Sequence, residues 1–187
     1  MRGFEEIETV GVVGAGTMGN GIAQVAATAG YDVLMRDIEP EYVESGLDAV
    51  DESLSRLVAN DTITETEKTD AQARLTGTTD LGRLAEADVV IEAAVEKMDI
   101  KQDIFADLDA VVDDDVVLAT NTSTLSITTI AAATDRAQQV VGLHFMNPVP
   151  VMKGVEVVTG EKTTDAVTDL AHEFAEALGK ETWESDD

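Results

Sequence analysis

A histidine and a glutamate occur twelve residues apart in the mostly apolar segment LHFMNPVPVMKGVEVV, and these two side-chain types together can perform acid–base chemistry. Pro148 and Pro150 stand between them and restrict the backbone, so the segment could turn and return Glu156 toward His144. A carboxylate on one imidazole nitrogen fixes the tautomer and stabilises the imidazolium, which leaves the other nitrogen to accept a proton. The pattern therefore predicts a histidine general base that acts on a substrate hydroxyl.

A simpler interpretation of the same two residues stays open. A buried histidine is most often a hydrogen-bonded core residue, and a lone glutamate in a strand most often lies at a solvated edge. The proline-bearing turn between the two residues favours a working pair. With NAD+ nearby, loss of the hydroxyl proton and of a hydride from the same carbon would make a ketone. The pair therefore suggests an alcohol-to-ketone dehydrogenase.

The segment VVGAGTMG contains the pattern G-x-G-x-x-G between a predicted strand and a predicted helix, which is the context of a dinucleotide-binding turn. Gly14 permits the tight turn, Gly16 lets the backbone approach a pyrophosphate, and Gly19 allows close helix–strand packing. Asp37, 23 residues beyond Gly14, suits the ribose hydroxyls and favours NAD over NADP, although the neighbouring Arg36 could hold a 2′-phosphate. The alternative is a glycine-rich turn that binds no ligand.

A polar loop with the sequence NTSTLS follows the predicted strand at 116–119. Ligands bind outside the carboxyl ends of parallel strands, so Ser123 could bond the substrate oxygen or the nicotinamide carboxamide. Capping of the next helix is the alternative role for this loop, and Ser126 fits that role better than Ser123 does.

The elements that must position these residues alternate along the chain. Strands are predicted over 7–13, 31–35, 88–92, 116–119, 139–143 and 154–158, and helices over 17–29, 99–112, 126–133 and 163–178. Between about 41 and 75 a polar stretch with helical spacing breaks near Asn60 and resumes at Thr64, which predicts a projecting helical pair. Strands alternating with helices imply a parallel sheet covered on both faces. The predicted fold is α/β, doubly wound and mainly parallel.

The charge balance is strongly acidic, with 38 Asp and Glu residues against 12 Lys and Arg among 187 residues and a net charge of -26. Such a surface repels nucleic acid and anionic membranes, so neither is an expected partner. The acids are dispersed along the chain, and the apolar content argues against disorder. Salt screening relieves the self-repulsion of such a surface, so we expect adaptation to concentrated salt, as in a halophile.

Several classes of protein are excluded by what the chain lacks. It contains no cysteine, so disulfides, thiolate catalysis and cysteine-ligated zinc are excluded, and no metal site is predicted. We find no apolar run long enough to span a membrane and no signal-peptide core at the N-terminus. One cytoplasmic domain over residues 1–187 is the expectation.

Four segments, GVVGAGTMGNGIA, IEAAVEKMDIKQDIF, ATNTSTLSIT and GLHFMNPVPVMKGVEVV, occur in this order along the chain. Together they closely resemble the NAD-binding domain of the 3-hydroxyacyl-CoA dehydrogenases, over essentially the whole chain. The resemblance implies a Rossmann-like fold, NAD as the cofactor and acyl-CoA as the substrate. It implies oxidation of L-3-hydroxyacyl-CoA to 3-ketoacyl-CoA, a step of fatty-acid β-oxidation.

The resemblance also assigns roles to individual residues. The catalytic histidine of the family matches His144, and its paired glutamate matches Glu156. The substrate-contacting serine of the family matches Ser123, and its asparagine after the histidine's aromatic stretch matches Asn147. The cofactor-binding residues correspond to Gly14, Gly16, Thr17, Met18, Gly19, Asp37, Ala93, Glu96 and Lys101.

Members of that family continue into a C-terminal helical domain, which these 187 residues do not include. That domain, from the same gene or a separate chain, is an expected partner, and the full-length family forms homodimers. Trp183 could belong to a final strand. Two alternatives to the family's reaction stay open, namely a related sugar-acid dehydrogenase of the gulonate type and a non-catalytic NAD-binding module or half-enzyme.

Overall fold

The computed structural model describes residues 1–187 as one eight-stranded sheet with helices on both faces. The strands are β1 (Thr9–Val13), β2 (Asp32–Arg36), β3 (Leu75–Thr78), β4 (Val89–Glu92), β5 (Val117–Thr120), β6 (Val140–Phe145), β7 (Gly154–Thr159) and β8 (Glu181–Asp186). The helices are α1 (Thr17–Thr28), α2 (Pro40–Ala59), α3 (Glu65–Arg74), α4 (Met98–Val111), α5 (Ile127–Ala131) and α6 (Asp165–Ala177). No helix is both long enough and apolar enough to cross a membrane.

The strand order is β3-β2-β1-β4-β5-β6-β7-β8. The first six strands all run parallel, β7 runs antiparallel to β6, and β8 runs parallel to β7. After β1 the chain adds β2 and β3 on one side of it, and from β4 onward it adds strands on the other side. Between β1 and β4 the order therefore reverses, and open α/β sheets bind ligands at the carboxyl ends of strands beside such a switch point.

Two apolar clusters cover the two faces of the sheet. Alternate residues of each central strand enter different clusters: Val12 and Val33 lie with α1 and α6, whereas Val13 and Leu34 lie with α4 and α5. Because side chains alternate across a strand, strands buried on both faces read as continuous apolar runs. The predicted doubly wound, mainly parallel α/β fold is confirmed.

The predicted elements lie within two residues of their observed bounds. Two strands were not predicted as such from their residues, β3 and β8, although Trp183 does belong to the latter. Both have few buried side chains and both form edges of the sheet. Edge strands lack the apolar runs that identify central strands, so their assignment depends on the neighbour that they pair with.

The helical pair α2 and α3 is attached to the core along one side. Val50, Leu54 and Ala71 are buried in the cluster that includes α1, while a β-carbon at Gly46 would lie 2.8 Å from Ala15. Thr64 begins α3 with a capping box that involves Glu67. The outer faces of the pair stay exposed, so the pair is anchored to the domain through its inner face alone.

Candidate functional site

The turn after β1 is shaped by three glycines that serve different purposes. Gly14 has a φ of 103°, and a β-carbon there would lie 2.7 Å from the carbonyl oxygen of Ala93. A β-carbon on Gly19 would lie 1.8 Å from the carbonyl oxygen of Gly14, so only glycine permits this approach of α1 to the turn. At Gly16 no atom lies within 4 Å of the same position. The space beside Gly16 is what a bound pyrophosphate requires.

Asp37 lies at the end of β2 and accepts two backbone hydrogen bonds. Its Oδ2 accepts from the Ala15 amide at 2.7 Å, and its Oδ1 accepts from the Ile38 amide at 2.7 Å. The carboxylate is therefore held against the glycine turn. Arg36, its neighbour, donates from Nε to the Thr79 carbonyl at 3.4 Å.

A cleft of about 630 Å³ opens at this end of the sheet. Most of its lining is apolar, including the exposed side chains of Ile38, Tyr42 and Val95. Six of the predicted cofactor-binding residues line the cleft, namely Gly14, Gly16, Thr17, Met18, Asp37 and Ala93. A polar carboxylate at one end and an open glycine turn in the middle match the ribose and pyrophosphate of a dinucleotide.

Lys101, another predicted cofactor-binding residue, lies beside this cleft in a buried ion pair. Its side chain is 1% exposed, and its Nζ donates to both carboxylate oxygens of Glu92, at 2.7 and 2.8 Å. Glu92 is fully buried and also accepts from the Thr120 hydroxyl at 2.7 Å and from the Ala94 amide at 2.6 Å. Glu92 was not identified from the sequence, because nothing local pairs a strand-end carboxylate with a lysine in the next helix.

Glu96 connects the cofactor cleft to the polar loop after β5. It accepts from the Thr122 hydroxyl and from the Ser123 amide at 3.1 Å, and Lys101 Nζ lies 3.5 Å away. Burial tends to raise the pKa of Glu96, but the bond from Thr122 and the charge of Lys101 outweigh burial and hold that pKa below its ordinary value. Glu96 therefore stays charged and orders the loop.

The polar loop presents Ser123 as an exposed residue, while its neighbours hold the loop in place. Ser126 caps α5 by accepting from the Thr129 amide at 3.2 Å, as its position in the sequence suggested. Asn121 accepts from the Phe145 amide at 2.8 Å and ties the loop to β6. Asp187 accepts from the Ile127 and Thr128 amides, each at 2.8 Å. Neither Asn121 nor Asp187 was assigned a role from sequence.

His144 and Glu156 face each other across adjacent antiparallel strands. They are direct partners in the β6–β7 register, and His144 Nδ1 lies 3.2 Å from Glu156 Oε2. Their side chains are 21% and 29% exposed. The hydrogen bond with His144, followed by one from Ser185, lowers the pKa of Glu156, so the carboxylate is charged at neutral pH. The pairing depends on the strand register, which the prolines of the connecting loop permit.

The loop between β6 and β7 carries Asn147, which is exposed. The Asn147–Pro148 peptide bond is cis. Lys180 lies beneath the loop and donates from Nζ to the carbonyls of Val149 and Met152, at 2.6 and 2.8 Å. Burial lowers the pKa of Lys180. Sequence reasoning missed this lysine, whose partners lie about 30 residues away in the chain.

The two groups of predicted residues lie at the same end of the sheet, where the parallel strands have their carboxyl ends, but they line different hollows. Because β6 runs parallel to β5, His144 lies near the same carboxyl ends as the glycine turn and the Ser123 loop. A hollow of about 210 Å³ separates Ser123 from Glu156 and is lined mainly by polar residues. The larger cleft is not lined by Gly19, Glu96 or Lys101. These three residues instead hold the turn and the loops around it in place.

A cleft shaped for a dinucleotide, with an imidazole–carboxylate pair at the same end of the sheet, is the arrangement that a nicotinamide-dependent dehydrogenase requires. The open space at Gly16 and the carboxylate of Asp37 fit such a cofactor. A family model described as 3-hydroxyacyl-CoA dehydrogenase, NAD binding domain, matches residues 9–187. The chain belongs to this family and is an NAD-binding domain.

Relatives and solved structures agree with that assignment. A 3-hydroxybutyryl-CoA dehydrogenase from Bradyrhizobium diazoefficiens is 46% identical over 181 residues, which cover 97% of this chain and 62% of the relative. The 3-hydroxyadipyl-CoA dehydrogenase of Escherichia coli is 43% identical and covers 94% of this chain, but only 37% of its own length is matched. The crystal structure of (S)-3-hydroxybutyryl-CoA dehydrogenase from Ralstonia eutropha has a TM-score of 0.96 at 44% identity, covering 97% of this chain and 64% of that one. The chain thus spans less than two thirds of these relatives' lengths.

Proposed function

We propose that this chain is the NAD-binding part of an enzyme that oxidises L-3-hydroxyacyl-CoA to 3-ketoacyl-CoA in fatty-acid β-oxidation. The observation that carries the proposal is the contact of His144 Nδ1 with Glu156 Oε2 at 3.2 Å, at the end of the sheet where the dinucleotide cleft also opens. The base must reach the substrate hydroxyl, and the hydride acceptor must reach the carbon that bears it. This end of the sheet offers a place for each.

His144 is the proposed general base. A carboxylate can only accept hydrogen bonds, so Glu156 holds the proton of the neutral imidazole on Nδ1 and leaves Nε2 unprotonated. Nε2 can then take the proton of a substrate hydroxyl, and the charged Glu156 stabilises the imidazolium that forms. NAD+, when bound, supplies the acceptor for the hydride that leaves the same carbon.

Ser123 and Asn147 are the proposed substrate contacts. Ser123 is exposed next to the hollow that Glu156 lines, so its hydroxyl can donate to the substrate oxygen. Asn147 follows β6 closely after His144 and can bond the same oxygen or the thioester. A donor to an oxygen that gains negative charge lowers the barrier of such a reaction.

Cofactor binding is assigned to residues of two kinds. Gly14, Gly16, Thr17, Met18 and Ala93 would surround the pyrophosphate and its neighbours, and Asp37 would accept from the ribose hydroxyls and repel a 2′-phosphate. Gly19 supports the turn. Glu96 and Lys101 are engaged with Thr122 and Glu92, so we assign them the ordering of the loops that contact NAD.

The substrate class rests on the relatives, whose names specify 3-hydroxybutyryl-CoA and 3-hydroxyadipyl-CoA. An acyl-CoA is therefore the proposed partner, rather than the sugar acid of a gulonate-type enzyme. Because the chain spans 62% of the first relative, the remaining part of the active site, a C-terminal domain and a homodimer are proposals for the whole protein. The isolated 187 residues would then bind NADH with little turnover, because water enters an active site that lacks its other half.

The test compares His144→Ala with His172→Ala in the complete protein. His172 forms a hydrogen bond with Thr182, away from the candidate site, so its replacement controls for general effects of losing an imidazole. Acetoacetyl-CoA and dehydrogulonate are offered with NADH, and NADH binding is measured separately. We expect His144→Ala to lose at least 100-fold in turnover with unchanged NADH affinity. Equal loss of turnover and NADH binding would make His144 structural, and turnover of dehydrogulonate alone would overturn the substrate class.

A further inference from the structure

The carboxylate of Glu156 is held at both of its oxygens. Oε2 lies 3.2 Å from His144 Nδ1, and Oε1 lies 3.0 Å from the hydroxyl of Ser185. Because an ionised carboxylate only accepts hydrogen bonds, Ser185 is the donor. No pattern in the sequence connects this serine, 29 residues further along the chain, with the imidazole–carboxylate pair.

The sheet brings Ser185 to this position. β8 pairs with β7 in parallel, with Trp183 opposite Glu156 and Ser185 opposite Val158. Side chains two residues apart on a strand share a face, so Ser185 and Glu156 are diagonal neighbours on the same face. The β8 ladder continues to Thr159, whose carbonyl accepts from the Asp187 amide at 3.0 Å. The serine hydroxyl is therefore presented by regular strand backbone.

We propose that Ser185 is a positioning residue for this dehydrogenase chemistry, which fixes the Glu156 carboxylate so that its other oxygen faces His144 Nδ1. The inference rests on the proposed function, because it gives Ser185 a purpose only if the histidine is the base. The three side chains form a chain of hydrogen bonds from β8 through β7 to β6.

The physical need for a second bond comes from the freedom of the carboxylate. The terminal torsion of a glutamate is broad, and the Glu156 side chain is 29% exposed, so water could compete for either oxygen. A hydrogen bond from Ser185 to Oε1 restricts that rotation and favours the charged carboxylate. A fixed carboxylate in turn selects the imidazole tautomer with its proton on Nδ1.

The first test uses nuclear magnetic resonance on this chain and needs no turnover. Long-range proton–nitrogen spectra report the tautomers of His144 and His172, and carboxyl carbon shifts report the titration of Glu156. In Ser185→Ala we expect an upward shift of the Glu156 titration midpoint and loss of the dominant Nδ1-protonated form of His144, while His172 is unchanged.

The matched control is Thr182→Val on the same strand. Thr182 points to the other face, where its Oγ1 lies 2.8 Å from His172 Nδ1. This variant should change the signals of His172 and leave those of His144 and Glu156 unchanged. If either variant alters both histidines alike, the strand itself has been disturbed and a specific role of Ser185 is refuted. Unchanged Glu156 and His144 signals in Ser185→Ala would refute it as well.

The second test measures kinetics in the complete protein. Ser185→Ala should lower kcat about fivefold, the equivalent of one net hydrogen bond, with the KM for acyl-CoA unchanged. Ser185→Thr keeps the hydroxyl and should restore most of the loss. A fall in kcat that Ser185→Thr does not restore would overturn the proposal. If the wild-type protein turns over no hydroxyacyl-CoA, the proposed function fails, while the resonance experiment still decides the hydrogen-bond chain.

Discussion

The glycine turn offers a paired test in which one substitution should weaken NADH binding and the other should weaken the fold. Gly16→Ala places a methyl group where no atom lies within 4 Å, and the φ of Gly16 is -67°, which alanine adopts freely. Gly19→Ala places a methyl group 1.8 Å from the Gly14 carbonyl oxygen and 2.7 Å from its carbon. These two positions are three residues apart in one motif.

The expected magnitudes differ accordingly. For Gly19→Ala, the new carbon lies about 1.6 Å inside the 3.4 Å of an ordinary contact, and the atom that it meets is backbone. Relief requires α1 to move from the turn, so we expect a loss of about 2–3 kcal/mol in the free energy of unfolding. For Gly16→Ala, the unfolding free energy should stay the same or rise by up to ~1 kcal/mol, because alanine restricts the unfolded chain.

Binding should follow the opposite order. The methyl group of Gly16→Ala would occupy the space in which the backbone approaches the pyrophosphate, so NADH affinity should fall at least tenfold, by ~1.4 kcal/mol or more. Urea denaturation followed by tryptophan fluorescence measures stability, and NADH fluorescence titration measures binding. Tight NADH binding by Gly16→Ala would show that the pyrophosphate lies elsewhere. A Gly19→Ala protein as stable as the parent would show that the helix–turn contact is not as close as the structure indicates.

Three further predictions concern charge. Lys101→Met should lower the free energy of unfolding, measured by urea denaturation, by about 3–5 kcal/mol, because it leaves Glu92 charged and unpaired in the core. Adding Glu92→Gln should recover part of that loss. A loss below ~1 kcal/mol for Lys101→Met would contradict an ion pair that is buried away from water. Burial opposes ionisation of Asp187, but bonds from Thr128 and Ser126 hold its pKa below the ordinary 3.8, so its stabilising charge is present above that pH and lost as the pH falls through the lowered pKa. The difference in unfolding free energy between the parent and Asp187→Asn, about 0.5–1 kcal/mol at neutral pH, should therefore vanish in acid, and a difference that persists there would refute the assignment. With a net charge of -26, the fold should loosen on dialysis from molar salt to dilute buffer, and an unchanged circular dichroism spectrum would count against salt adaptation.

Local patterns were sufficient for the central part of the fold. The apolar runs of β1, β4 and β5 and the glycine turn between β1 and α1 follow from residues that are neighbours in the chain. The edge strand β3, with the sequence LTGT, carries no such run, because one of its sides faces no partner strand. Its assignment needs β2 beside it, and β8 needs β7 in the same way.

For the candidate site too, the sequence indicated one part and the tertiary structure decided the other. The types and spacing of Gly14, Gly16 and Asp37 indicated a dinucleotide, and His144 with Glu156 indicated a base and its carboxylate, because each chemistry requires particular side chains at short separations. The proline-bearing loop made contact of that pair possible, but antiparallel register decided it, since a shift of one residue would turn the two side chains to opposite faces.

By itself, the sequence determined the acidic surface, the alternating elements, the glycine turn and the identity of the candidate reactive side chains. Only the tertiary structure decided that Lys101 is committed to the buried Glu92 and that Ser185 reaches the second oxygen of Glu156. The physical reason is that hydrogen bonds and ion pairs act over about 3 Å, whereas these partners come from separate elements. Their distance is set by strand pairing and helix packing, which no local pattern of residues contains.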